Sequence, residues 1–193
     1  NLGSVRSFGD DFYKAAGTLT DTAVPIAGDE THLQVNINVP VTADGSVRVA
    51  FRFDSTLSRD DKGVKLRAEV GGGVLAVKDV WLVEAFAKAE VFGYAESYGD
   101  NGTEAWRLLS YGLCKRVQEL GAAGDKAAKA LWGQRFMTET EAQLDDDDYA
   151  ENGLGASLSA GFGATTPGGK DVGGSVSGQV TAGTRYSKKG AEA

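Results

Sequence analysis

Along "HLQVNINVPV", residues 32–41, apolar and polar side chains alternate. Leu33, Val35, Ile37, Val39 and Val41 fall on one side, and Gln34, Asn36 and Asn38 on the other, the period-two pattern of a strand with one buried face. Pro40 cannot donate to a ladder, so the strand belongs at a sheet edge. Asp44-Gly45 supplies a tight turn that needs positive φ. The return strand then sets Val47, Val49, Phe51 and Phe53 inward and Arg48 and Arg52 outward. "SRDDKG" turns the chain again, and "VKLRAEVGGGVLAV" predicts a third strand, broken or bulged at its three glycines. The stretch 80–98 fits two periods. As a helix it gathers Leu82, Ala85, Phe86, Ala89, Phe92 and Gly93 on one side; as a strand it lines up Ala85, Ala87, Ala89, Gly93 and Ala95. Its β-rich neighbours favour the strand, completing a β-meander over 32–98.

Residues 1–31 show no sustained period and predict an irregular segment, with one short helical turn at "DDFYKAAGTL". After the Asp100-Asn101-Gly102 turn, the spacing of Trp106, Leu109, Leu113, Val117 and Leu120 predicts an amphipathic helix. "GAAGD" ends it, and Asp125 is placed to cap a second helix carrying Ala128, Leu131, Trp132, Arg135 and Phe136. The result is an antiparallel helical hairpin over 103–137, its Trp106, Leu109, Leu113, Leu131 and Trp132 covering one sheet face and leaving Gln34, Asn36, Arg48 and Arg52 wet. An acidic loop follows over 138–152. Period-two alternation then returns in a Gly/Ser-rich hairpin over 153–187, ahead of a short tail, 188–193. On the apolar side of that hairpin lie Leu154, Ala156, Leu158, Ala160, Phe162, Val176, Val180 and Ala182.

The fold expected is therefore α+β and predominantly antiparallel β, a meander or barrel-like sheet with an inserted antiparallel helix pair and a C-terminal Gly-rich β-hairpin. A chain of 193 residues is most simply one domain, 1–193. Glycine numbers 27, about twice the usual share, and clusters where backbones must bend or approach closely. The net charge of −7 argues against a broad phosphate-binding surface, so no nucleic-acid partner is expected. The opening "NLGSVRSFGDD" has neither a starting Met nor the basic and apolar regions of an export signal. A chain released from an exported or larger precursor, secreted or held at the cell envelope, is the expectation.

Candidate chemistry is sparse. His32 is the single histidine and Cys114 the single cysteine, so they build neither a zinc cluster nor an intrachain disulfide. "GATTPGGKD" misses the phosphate-loop spacing by one register and puts Asp171 where a hydroxyl is needed. No catalytic residue, organic cofactor or catalytic metal is expected; the run Asp145–Asp148, with Glu141 and Glu151 near, reads as a solvated loop, next as a protease-sensitive linker, and permits only calcium as a metal. An enzyme thus lacks its parts. Residues 153–165 and 174–187 instead have the length and dyad alternation of membrane-spanning strands, with Arg185, Lys188 and Lys189 confined to an interface or lumen. The hairpin resembles the glycine- and serine-rich stem hairpins of β-barrel pore-forming proteins. That resemblance implies a non-enzymatic protein that self-associates and inserts into lipid, through the eight apolar residues named above. The alternative is a soluble binding or structural module that encloses an apolar ligand or docks a protein partner.

Overall fold

In the computed structural model, which describes residues 2–193 and their side chains from residue 9 onward, the fold is α+β and dominated by one antiparallel sheet. In chain order the elements are α1 (Leu2–Ala23), β1 (Glu30–Pro40), β2 (Val47–Arg59), β3 (Val64–Val80), β4 (Val83–Gly99), α2 (Gly102–Gln118), α3 (Ala122–Leu131), α4 (Gln134–Ala142), β5 (Tyr149–Thr165), β6 (Asp171–Ser187) and β7 (Gly190–Glu192). The strands are ordered β1 to β7 as a plain meander. The 17-residue strands β3 to β6 are about three times the usual length.

Three turns lie at one end of the sheet: 41–46, Trp81-Leu82 and 166–170. The helices lie at the other, with the 60–63 and 188–189 turns. Gly45 takes the positive φ of 70° that the first turn requires. Trp81 also has positive φ, 61°, in the two-residue turn between Val80 and Val83, where a bulky residue is strained and glycine is usual.

Residues 80–98 are extended, in β4 and its turn. Several other expectations need correction. The segment 1–31, expected to be irregular, carries the 22-residue helix α1. Its packing stripe is small and polar, not greasy. Tyr13 donates to Ser110 Oγ (2.7 Å), Thr20 Oγ1 accepts from Trp106 Nε1 (2.8 Å), and Gly17 lies directly on the Thr103 backbone. Tyr13, Ala16, Gly17 and Thr20 of this stripe include no large aliphatic residue. The expected bulge at Gly71–Gly73 is absent, for β3 pairs residue for residue with both neighbours through it. Those glycines clear space: a Cβ on Gly71 would strike the Glu90 carboxylate, and one on Gly73 the Ala89 carbonyl. The helical hairpin 103–137 is three helices, because Gly133, at φ 87°, breaks the second arm. Asp125 lies inside α3, and Gly121 occupies its N-cap. Residues 138–142 of the acidic loop belong to α4 and 149–152 to β5, while the tail forms β7 on the end of β6.

The core sits at the helical end. Val64, Leu66 and Ala105 form one buried group, Tyr111, Ala150 and Tyr186 a second, and Cys114, Ala128 and Met137 a third. The buried side of α2 is thus Ala105, Leu108, Tyr111 and Cys114, one position away from the expected Trp106–Leu109–Leu113 stripe; Leu113 and Leu131 are exposed, and Trp106 and Trp132 only half-buried. Small residues let the helix approach the sheet: a Cβ on Gly112 would collide with that of Ala150. Ser97 Oγ donates to the Ala105 carbonyl (2.6 Å), and Asn152 Nδ2 to that of Gly112 (2.9 Å), fixing α2 on β4 and β5.

Candidate functional site

Cross-strand partners share a face, so the register sorts every strand residue. One face carries Leu33, Val35, Ile37 and Val39 of β1, Val49, Phe51 and Phe53 of β2, Val70, Val74 and Ala76 of β3, and Ala85, Ala87, Ala89 and Val91 of β4. It continues with Leu154, Ala156, Leu158, Ala160 and Phe162 of β5, paired with Ala182, Val180, Gly178, Val176 and Gly174 of β6. All eight hairpin residues singled out by alternation lie on this face, and none is buried. The helices cover it only at their own end, over Leu66, Ser97, Ala150 and Tyr186. Beyond Val70 and Leu154 it is bare.

The exposure runs opposite to that of a soluble sheet. Val47, Val49, Phe51 and Phe53 were expected inward, yet Phe51 and Phe53 are exposed. Arg52, expected wet, has a side chain only 14% exposed. Among the described residues, every exposed large hydrophobic side chain on β1 to β6 belongs to the apolar face. Monomeric soluble proteins rarely leave so continuous an apolar surface uncovered.

The opposite face holds a belt of ion pairs crossing the six long strands. His32 Nε2 lies 2.6 Å from Asp54 Oδ1, and Arg52 is 3.6 Å from the other oxygen. Arg52 grips Glu90 Oε1 through Nε (2.9 Å) and Nη2 (2.7 Å) and reaches Glu69 at 3.5 Å. Lys88 stands 3.1 Å from Glu90, Arg67 bridges Glu69 (3.4 Å) and Glu96 (3.2 Å), and Arg185 pairs with Glu151 (3.3 Å). Tyr149 donates to Glu96 (2.8 Å) while the Arg185 guanidinium lies over its ring.

Glycine makes this face possible. A Cβ on Gly155 would enter the Phe92 ring, one on Gly161 the Phe86 ring, and one on Gly183 the Tyr94 hydroxyl. Aromatics of β4 therefore lie flat across the glycines of β5 and β6, which shields the backbone and frees room for the ion pairs. Gly155, Gly161 and Gly183 thus answer to close packing on the polar face, while Gly174 and Gly178 lie on the apolar face.

The remaining candidates settle into place. His32 is one end of the belt. Residues 163–170 form the β5–β6 turn and the residues leading into it, with no helix behind them to receive a phosphate. Asp145 and Asp148 do come together, with Asp100, which the sequence did not connect to them. Cys114 is fully buried, and burial pushes its thiol up to about 11. A water-soluble disulfide reagent is therefore expected to leave native protein untouched and to react with one thiol per chain in urea; rapid native labelling would show that α2 does not seal the site.

Under the bare edge of α2 the apolar face dips into an open depression of about 770 Å³, lined by Val70, Ala95, Leu113, Leu154 and Ala182, with Arg116 at its rim. Both long edges of the sheet are unpaired: β1 pairs with β2 alone, and β6 meets β7 only over Arg185–Ser187. No helix among the described residues is long and apolar enough to cross a membrane, a criterion that does not concern strands. Comparison with protein families, curated proteins and solved structures finds no match for this chain.

Proposed function

We propose that this chain is a non-enzymatic, membrane-inserting sheet protein, exported to the cell surface or envelope. Its six long strands form a segment of a closed barrel, with the apolar face toward lipid and the ion-paired face toward water. The carrying observation is the inverted exposure: bare apolar side chains on one face, interrupted by Lys78 close to the turns, and paired charges tucked down on the other. On β5 the uncovered apolar run extends from Leu154 to Ala164. At a rise of about 3.3 Å per residue and a tilt near 40°, that run spans about 25 Å, the height of the lipid-facing band of membrane barrels. Trp81, 98% exposed at a hairpin tip, stands at the end of the band, where aromatic side chains anchor at interfaces.

Closure requires that no strand edge remain open in lipid. Edge-to-edge pairing of β1 with β6 of a further copy provides it head to tail, and six strands per copy keep the total even. The depression beneath α2 supports a second reading, a soluble module holding an apolar ligand.

Light scattering after size exclusion, with and without liposomes, decides between them. The expected result is a defined oligomer that floats with vesicles and releases an entrapped dye. A strict monomer that ignores lipid at every composition tried would overturn the barrel reading in favour of the ligand module.

A further inference from the structure

Three acidic side chains meet where the helical connector leaves and re-enters the sheet. Tyr98 of β4 pairs with Tyr149 of β5, and this brings the exit of one strand beside the entry of the other. Asp100 follows β4, immediately before the Asn101 N-cap of α2, and Asp145 and Asp148 precede β5. One carboxylate oxygen from each lies within 4.8 Å of the other two.

Asp148 is the telling member. Only 2% of it is exposed. Its Oδ2 accepts from the Asp145 backbone N–H at 3.0 Å, whereas its Oδ1 is sealed from solvent without a hydrogen-bond partner. Burying an unpaired carboxylate oxygen is expensive, and two more carboxylates beside it add repulsion. Among the described residues no Lys or Arg pairs with Asp100, Asp145 or Asp148; the nearby Lys62 reaches Asp147 instead, at 3.5 Å. The group lacks a positive charge.

We propose that Asp100, Asp145 and Asp148 bind a Ca²⁺ ion, with Asp148 Oδ1 as the buried ligand. The donors are hard anionic oxygens without nitrogen or sulfur, which excludes the preferences of zinc and copper. Two of the three residues are exposed, and Ca²⁺ completes its six to eight ligands with water and carbonyl oxygens in irregular geometry more readily than Mg²⁺. Bound there, the ion clamps the first turn of α2 and the α4–β5 loop onto the β4–β5 ladder. This inference does not depend on membrane insertion.

The test is terbium luminescence excited through tyrosine, since Tyr149 adjoins Asp148 and Tyr98 lies two residues before Asp100, together with calorimetry using Ca²⁺ and Mg²⁺. One Tb³⁺ per chain, displaced by Ca²⁺ at far lower concentration than by Mg²⁺, is expected. Asp100→Asn, at an exposed position that tolerates the amide, should weaken Ca²⁺ binding at least tenfold while circular dichroism stays native. Asp148→Asn should abolish it, and Asp147→Asn should leave it unchanged. No heat and no emission at millimolar ion, or Ca²⁺ affinity unaltered by Asp100→Asn in folded protein, would overturn the site.

Discussion

Leu158→Arg is expected to leave the isolated chain folded and to reduce its release of vesicle contents by about 30- to 700-fold. Leu158 is 68% exposed on the bare part of the apolar face, so the substitution opens no core and should change solution stability by about 0.5 kcal/mol or less. It lies near the middle of the Leu154–Ala164 run. There, a lipid-facing arginine costs about 2–4 kcal/mol, and each 1.4 kcal/mol is a factor of ten. Ser159→Arg is the matched control. Ser159 pairs with Lys88 and Ser177 on the polar face, where water dissolves the charge and the neighbouring ammonium costs a few tenths of a kcal/mol. Dye release by the two variants, at equal folded fraction, reads the difference. Equal activities would mean that the apolar face does not meet lipid. A Leu158→Arg chain that fails to fold would mean that this face is covered in the soluble protein.

The second large effect lies in the belt. Arg52→Ala should destabilise the fold by roughly 3–5 kcal/mol, because it strands the Glu90 carboxylate, whose side chain is only 4% exposed. Lys88 remains 3.1 Å from Glu90 Oε2, but Oε1, the oxygen that Arg52 held, loses both of its hydrogen bonds. Glu90→Gln should cost less, since Arg52 keeps Glu69 at 3.5 Å and Asp54 at 3.6 Å. The double variant should recover part of the Arg52→Ala loss, leaving a coupling of about 0.5–3 kcal/mol in a urea-denaturation cycle. Strict additivity would show that the pair contributes no mutual stabilisation and that the belt is only a set of neighbours.

Alternation revealed which residues share a face, and it did so correctly for β1, β2 and the two arms of the hairpin. It carries no information on what covers that face. A strand packed on helices and a strand packed on lipid show the same period, so Phe51 and Phe53 read as core although they are open. The charges gave the better clue in retrospect. Arg52, Glu69, Glu90 and Glu96 recur at even or odd positions matched to one face, with glycines and aromatics between them, which is more charge and more glycine than a merely wetted face requires. The α1 helix escaped notice because Gly17 and Thr20 make its contacts by shape and hydrogen bonding. Asp100 escaped because the connection to Asp145 and Asp148 runs through three helices and exists only once β4 and β5 pair.

The three hairpin turns at one end of the sheet have a consequence for direction. They comprise 41–46, the pair Trp81-Leu82, and 166–170. Nothing bulkier than these stands on that rim, whereas four helices and the α4–β5 loop crowd the other. Passing a helix bundle through hydrocarbon is prohibitive, while a two-residue turn carries almost no polar mass. On the proposed insertion, entry would be polarised: the turns would lead, the helices would stay on the side of arrival, and every copy in an assembly would point the same way. A sheet built like this has two unlike rims, and in a bilayer the proposed insertion would take its direction from where the chain makes its connections.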